Sequence, residues 1–312
     1  MANQVLNLID VAKRNGNDAA VGLIESMAQS NALLSLTPFK GINGQSYKVK
    51  KRTGLPTVGT RGFNEGVEAT KSIITDYIYQ TYLYNSRSIV DVKLADTSPE
   101  GAMALRMEED MSHIVAMGNK WNYHAIYGNN QTDVTQPDGF ATILTSTAFS
   151  TYKAQTGAAG SSTSIYFVSF ADANTPQGRI KGVEGIVTNG QELNARDMGQ
   201  QYFNADNSKP LLHYTTEIDA MYGFAVYDVR SIGRYAGLTS SLAPTTANID
   251  AILTAMLPFS CDAILVNKTG LNLMKGLKSS ITYTPADREI RLSPASYDGI
   301  PIYLDENILD TE

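Results

Sequence analysis

The chain carries three histidines, His113, His124 and His213, one cysteine, Cys261, and 31 carboxylates, and these are the first side chains to question for acid–base, nucleophilic or metal chemistry. His113 and His124 fall eleven positions apart in a stretch that reads as one helix. At ~1.5 Å of rise per residue that is about 16 Å, too far to share a metal ion. No H-x-x-x-H, C-x-x-C or carboxylate–histidine ligand spacing is present. There is no G-x-S-x-G nucleophile elbow and no G-x-x-x-x-G-K-[ST] phosphate loop. A lone cysteine makes no internal disulfide, and in Phe259-Ser-Cys-Asp-Ala-Ile-Leu-Val it reads as a small buried residue at the start of a strand. The two N-x-[ST] triplets, at Asn130 and Asn267, read as chance matches because no secretion signal accompanies them. The carboxylates leave one catalytic class open, an acid-pair hydrolase of the glycosidase kind. No catalytic residue, cofactor site or metal site is assigned.

The elements that would have to position such groups point elsewhere. The 312 residues are 43% hydrophobic and 18% charged, the composition of a folded globular chain slightly long for one compact domain. A net charge of −6 and a pI near 5.2 argue against a protein that grips nucleic acid tightly. No apolar run approaches the ~20 residues of a membrane span, so a soluble protein kept in cytosol-like conditions is expected.

Residues 1–39 read as an arm. Val5, Leu8, Ile9 and Ala12, then Val21, Ile24, Met27 and Ala28, recur at helical spacing on either side of Asn15-Gly16-Asn17. Helices this short make no core of their own and must dock on something. From Lys40 to Arg61, 22 positions hold Lys40, Lys48, Lys50, Lys51, Arg52 and Arg61 and no acid, with Gly41, Gly44, Gly54, Pro56 and Gly59 among them. This is a long basic hairpin or loop, of a length that is usually functional or disordered in a compact domain. Residues 71–95 are β-branched and tyrosine-rich and read as extended throughout, with Val90, Val92 and Leu94 on one face.

Ser98 as N-cap and Pro99 at the first position open a long helix that runs to Tyr127 and ends at Gly128-Asn129-Asn130. Met103, Met107, Met111, Ile114, Gly118, Trp121 and Ala125 form one apolar stripe along about 44 Å, well beyond the usual ~11–12 residues. Glu108, Glu109 and Asp110 make an acidic knot on it. Residues 140–144 read as an apolar strand after a polar loop. Strands then alternate with short helices: a strand at 164–172, a strand pair at 215–220 and 224–235, helices at 247–259 and 269–277, a buried strand at 263–266, and closing strands at IRL and IPIYL. The pattern is α+β, without an internal repeat, and the one low-complexity stretch is Gly157–Ser164.

Taken in order, these segments resemble the major capsid proteins of tailed bacteriophages with the Hong Kong 97-type fold. Arg52-Thr-Gly-Leu-Pro-Thr-Val with Phe63-Asn-Glu-Gly-Val and Thr70-Lys-Ser is similar to that family's extended loop, the E-loop. The helix 98–127 is similar to its spine helix, and Tyr127-Gly-Asn-Asn with Pro137-Asp-Gly-Phe to the exit from it. Phe170-Ala-Asp, Gly178-Arg-Ile-Lys-Gly-Val-Glu-Gly, the run Asp219–Ala236 and the ending Tyr297-Asp-Gly-Ile-Pro-Ile…Asp305-Glu-Asn-Ile-Leu-Asp-Thr-Glu are similar to the later strands. The resemblance implies an N-terminal arm (1–39), an E-loop with flanking strands (40–96), a spine helix and peripheral domain (97–170), and an axial domain (171–312) whose last strands return to the peripheral domain.

It further implies pentamers and hexamers that build an icosahedral shell around double-stranded DNA. The DNA would be contacted weakly, and the protein would be found in the virion capsid and, during assembly, in the host cytoplasm. Expected partners are the chain itself, a separate scaffolding protein (only ~39 residues precede the E-loop), a portal and decoration proteins. The E-loop of one subunit would lie over the spine helix and peripheral domain of the next. Lys48, Lys50, Lys51, Arg52 and Arg61 would then face Glu108, Glu109 and Asp110 or the tail carboxylates Asp305, Glu306 and Asp310. A non-viral shell of the encapsulin kind and the acid-pair hydrolase are the alternatives.

Overall fold

A computed structural model describes residues 31–155, 160–170, 172–175, 178–191, 193–204, 210–277, 281–283 and 294–312. The helices expected at 5–12 and 21–28, the strand expected at IRL, and part of Gly157–Ser164 lie outside them. Two sheets and one long helix make the body. In the first sheet β1 (Phe39–Ile42) pairs in parallel with β8 (Val183–Thr188). Next comes β10 (Pro210–Val226), then β3 (Ile73–Asp91), then β2 (Ser46–Gly54), all antiparallel. β9 (Asn194–Asn204) runs beside the first half of β10. The second sheet has the order β13 (Ile281–Tyr283), β14 (Pro294–Tyr297), β15 (Ile300–Leu304), β12 (Ala263–Val266), β5 (Thr163–Val168), β11 (Ile232–Leu238) and β4 (Lys153–Gln155). A separate hairpin joins β6 (Asp172–Thr175) to β7 (Gly178–Lys181).

Among the described residues six α-helices punctuate these strands: α1 (Ala32–Leu36), α2 (Val92–Asp96), α3 (Ala102–Tyr127), α4 (Phe140–Ile143), α5 (Thr246–Met256) and α6 (Lys268–Met274). The caps explain their starts. The Thr245 hydroxyl accepts from Asn248 N, and the Asn267 side chain accepts from Gly270 N at 2.7 Å. The main core lies where α3 crosses both sheets and gathers Trp121, Ala125, Phe140, Tyr166, Val168, Ile218, Phe224 and Leu265. A second core packs α5 and α6 on the other face of the second sheet, through Ile249, Ile252, Met256, Phe167, Tyr235, Ile264 and Met274.

Several expectations from the sequence are corrected. The extended stretch 71–95 stops at Asp91, because the Asp91 carboxylate accepts from Lys93 N at 2.7 Å and caps α2, so Val92 and Leu94 are helical. The long helix begins at Ala102, after Gly101 at φ +90°, and not at Ser98; the Ser98 hydroxyl is buried and caps nothing. Its 26 residues span about 39 Å. Residues 140–144 form the short α4 and its end, not a strand. The anticipated pair 215–220 and 224–235 is instead one long strand, β10, followed by a turn at Val229–Ser231 and β11; the Asp228 carboxylate caps that turn by accepting from Arg230 N.

At the end of α3 the chain closes on itself. Gly139 N donates to Gly128 O at 2.9 Å, and a Cβ on Gly128 would sit 2.2 Å from Pro137 O. Both glycines are there for close backbone approach.

Candidate inter-subunit interface

The three histidines go to three different places. His113 Nδ1 lies 2.6 Å from Ser86 Oγ, with Nε2 3.8 Å from Glu109. His124 Nδ1 is 3.1 Å from Tyr84 Oη, and burial, helped by nearby Lys120, pulls its pKa down to about 4, so it is neutral near pH 7. His213 is fully buried, with Nδ1 2.9 Å from Leu211 O. Among the described residues no group of three or more His, Cys, Asp or Glu could hold a metal ion. Burial pushes the Cys261 thiol up to about 12, which leaves it a poor nucleophile.

The basic stretch forms the hairpin β2–β3. Lys48, Lys50 and Arg52 alternate outward, and Tyr47, Val49 and Lys51 inward. The loop at its tip is exposed throughout residues 55–71 and displays Leu55, Val58, Phe63 and Val67, with Phe63 103% exposed. Little of the subunit's own body lies against this tip. The root of the hairpin is different. Lys51 Nζ donates to Tyr79 Oη at 2.9 Å and reaches Val226 O at 3.5 Å, and it sits 4.2 Å from the centroid of the Tyr77 ring. Tyr79 Oη donates to Val226 O at 2.6 Å, and its ring meets Tyr227 edge-on. Lys40 donates to Tyr47 Oη at 2.6 Å. This lysine–tyrosine cluster fixes the angle at which the hairpin leaves the sheet.

The residues expected to pair across subunits therefore divide. Lys51 works inside its own chain. Lys48 is bonded to Asp76 of the same hairpin at 2.7 Å, and Arg61 donates to Glu65 O within the tip. Lys50 and Arg52 are exposed and have no ion-pair partner among the described residues. On α3, Glu109 faces His113, one Asp110 carboxylate oxygen is buried without a hydrogen bond, and Glu108 has no ion pair among the described residues.

The tail carboxylates are used internally. Asp305 is fully buried; it accepts from Asn122 Nδ2 at 2.8 and 3.0 Å, from Asn307 N at 3.0 Å and from Leu33 N at 3.3 Å. That removes it as a surface contact. Glu306 pairs with Lys268 at 2.5 Å, and Asp310 accepts from Asn267 and Thr269. Sequence reasoning missed a further internal carboxylate, Glu312. It accepts from Arg234 Nη2 at 2.7 Å, from Tyr166 Oη at 3.2 Å, and from the Tyr127 and Ser164 hydroxyls. Nothing in a terminal Asp-Thr-Glu announces such a site.

A projecting hairpin with an apolar tip, a strut-like helix beneath two sheets, and chemistry-bearing side chains spent on packing define a protein that works by contact: a shell subunit of the Hong Kong 97 type. The family model for Major capsid protein GP7 matches residues 15–312, and the chain belongs to that family. It is a structural capsid protein of the virion shell, not an enzyme, and the hydrolase alternative falls. Among solved structures, the bacteriophage Epsilon15 structure superposes with a TM-score of 0.72 at 24% identity, over 100% of this chain and 98% of that one. The bacteriophage JBD30 capsid gives 0.55 at 9% identity, over 97% and 98%. Both share the fold. No curated protein sequence matches the chain.

Proposed function

We propose that the subunit assembles through pentamers and hexamers into an icosahedral shell around double-stranded DNA, with each β2–β3 hairpin laid across α3 and the peripheral body of the next subunit. The observation that carries this is the hairpin tip. Leu55, Val58, Phe63 and Val67 are solvent-exposed on a loop with almost no body of its own. Fully burying one Phe side chain stabilises by about 1.5–3 kcal/mol, whereas an exposed ion pair contributes about 0–1 kcal/mol. The tip supplies the adhesion, and the charges set register. With Lys48, Lys51 and Arg61 engaged within the chain and Asp305 buried, the cross-subunit pair reduces to Lys50 and Arg52 on the arm against Glu108 on the neighbour. Contacts of this head-to-tail kind close into rings.

In this reading residues 1–39 form the N-terminal arm and 40–96 the extended loop with its strands. The first sheet takes strands from both sides of position 171, so the peripheral body also includes β8, β9 and β10. The second sheet forms the axial part. Assembly takes place in the host cytoplasm with a scaffolding protein and a portal, decoration proteins join the shell, and the acidic chain touches the packaged DNA only weakly. The test is Phe63→Asp with Leu55→Asp, followed by sedimentation and negative-stain microscopy in the presence of the neighbouring gene products. The expected result is folded subunits or capsomers without closed shells. Normal shells would refute the role given to the tip.

A further inference from the structure

The apolar stripe on α3 is covered along only part of its length. At its C-terminal end Trp121 and Ala125 are buried in the main core. At Gly118 the cover is α1: a Cβ there would lie 3.2 Å from Leu34 Cδ2. Beyond Ile114 the stripe continues bare, with Met103 73% exposed, Met107 58% and Met111 59%. These three stand at i, i+4 and i+8 and run about 12 Å along the helix. Glu108 flanks the strip on one side and Asp110 on the other.

The same subunit carries a surface of matching length and opposite charge. On the outward face of the hairpin, Ile74 and Ile78 of β3 are 57% and 61% exposed. Four residues of strand set them about 13 Å apart. The strand register puts Arg52 directly opposite Ile74, Lys50 opposite Asp76 and Lys48 opposite Ile78. Asp76 bonds Lys48, which leaves Lys50 and Arg52 as cations of this face without an ion pair among the described residues. The hairpin does not turn this face to its own α3. The opposite face, with Lys51 and Tyr79, is the one clamped to Val226 and Tyr227.

We infer that the outward face of the hairpin shaft seats on the methionine strip of a second copy. Ile74 and Ile78 lie against Met103, Met107 and Met111, and Lys50 and Arg52 lie beside Glu108 and Asp110. The inference rests on the head-to-tail assembly proposed above, and it gives the contact with α3 to the shaft rather than to the tip. Unbranched methionine side chains conform to a pleated isoleucine face. The tip then lies beyond α3, on the peripheral body of the second copy. Each strip is taken by the shaft of another copy, so the contact is heterologous and closes into a ring when repeated about an axis.

The test is disulfide trapping in the full-length chain with Cys261→Ser, pairing Asp76→Cys with Met107→Cys, the midpoints of the two surfaces. Shells assembled with the neighbouring gene products are oxidised and run on non-reducing electrophoresis. The expected result is a ladder of covalent oligomers rising to pentamer and hexamer. A crosslink confined to a compacted monomer would overturn the inference, because the shaft would then reach its own strip. Closed shells without this crosslink would overturn the seat and leave the shell reading standing. A crosslink of Met107→Cys to Phe63→Cys in its place would return the strip to the tip. Failure of the Cys261→Ser parent to form rings or shells would overturn both. Independently, Lys50→Glu and Glu108→Lys should each slow shell formation about tenfold by setting like charges together, with subunit unfolding unchanged. The two combined should restore the rate. Single variants that assemble at the parental rate, or a double variant no faster than the singles, would overturn the pairing.

Discussion

The two halves of α3 carry the same sequence pattern and have opposite fates. From Met117 onward the apolar face meets the core, with Trp121 buried between Phe39 and Phe224 at ring-centroid distances of 5.3 and 6.1 Å. From Met103 to Met111 the same face looks outward, while the sheet-facing side of that half is held by Leu105 against Val90 and Ala95, and by Arg106, which bonds Asp197 at 2.7 Å and lies 4.7 Å from the Tyr214 ring. Periodicity reports that a helix face is apolar. What covers that face depends on the supply of other elements, and the described body of the subunit supplies cover for one half of α3 only.

The largest effect should separate the halves directly. Trp121→Ala removes a fully enclosed side chain whose Nε1 donates to Gly223 O at 3.4 Å, and it should cost about 3–5 kcal/mol of subunit stability. Met107→Ala should cost no more than about 0.5 kcal/mol in a subunit lacking residues 1–30. Denaturant unfolding of the two variants measures both. Equal losses would mean that the body of the subunit already covers the first half of α3.

A second effect probes how the covered half is tied down. Asp305→Ala strips five hydrogen bonds from Asn122, Asn307 and Leu33 and should destabilise by about 1–3 kcal/mol. Asp305→Asn keeps part of the network and should recover part of the loss. If both variants match the parent in thermal unfolding, the tail does not clamp α3. Burial raises the Asp305 pKa against the pull of these hydrogen bonds, so its folded value lies above its unfolded one. Its titration therefore favours the fold on the acid side and subtracts from it as pH rises through the folded pKa.

His124 has the opposite sign. Its folded pKa of about 4 lies below the ordinary 6.5, so the unfolded chain binds the proton first. Stability from this group is complete above pH 6.5 and drains away as pH falls toward 4, by about 1–2 kcal/mol after allowance for solvent screening. Chemical-denaturation midpoints between pH 7 and 4 should fall in the parent and fall less in His124→Gln. Parallel curves would show that the Tyr84–His124 contact carries no linkage.

Much of this fold could be read from residues, and the failures share a cause. α5, β12 and α6 were legible because their caps and apolar patterns agree: Thr245 and Asn267 accept at the first turns, and Ala263–Val266 is buried at every position. The misread boundaries sit where one side chain overrides a propensity. Asp91 ends a β-rich run by capping α2, and Asp228 splits what looked like continuous strand. The interface was less legible than the fold. Lysines and carboxylates look alike in sequence whether they serve a neighbour or the chain itself. Lys51 and Asp305 are committed internally through partners 175 and 183 positions away, Val226 and Asn122, which no local spacing reveals.

Lys51 offers the finest test, because it sits where the hairpin leaves the body. Burial lowers its pKa even with Asp228 near, so the ammonium is held by geometry rather than by a strong ion pair. Lys51→Met keeps the stem that packs over Tyr77 and removes the donor shared by Tyr79 and Val226 O. The subunit should lose about 0.5–1.5 kcal/mol, the worth of one hydrogen bond, and remain folded. Lys50→Met, one residue away on the outward face, should leave subunit stability unchanged and act only when shells form. If the clamp sets the arm's angle, Lys51→Met shells should be heterogeneous in size under negative stain, while Lys50→Met shells should be uniform but form more slowly. Identical behaviour of the two variants would mean that the two faces of β2, one turned to its own subunit and one to solvent, are not distinct in their work.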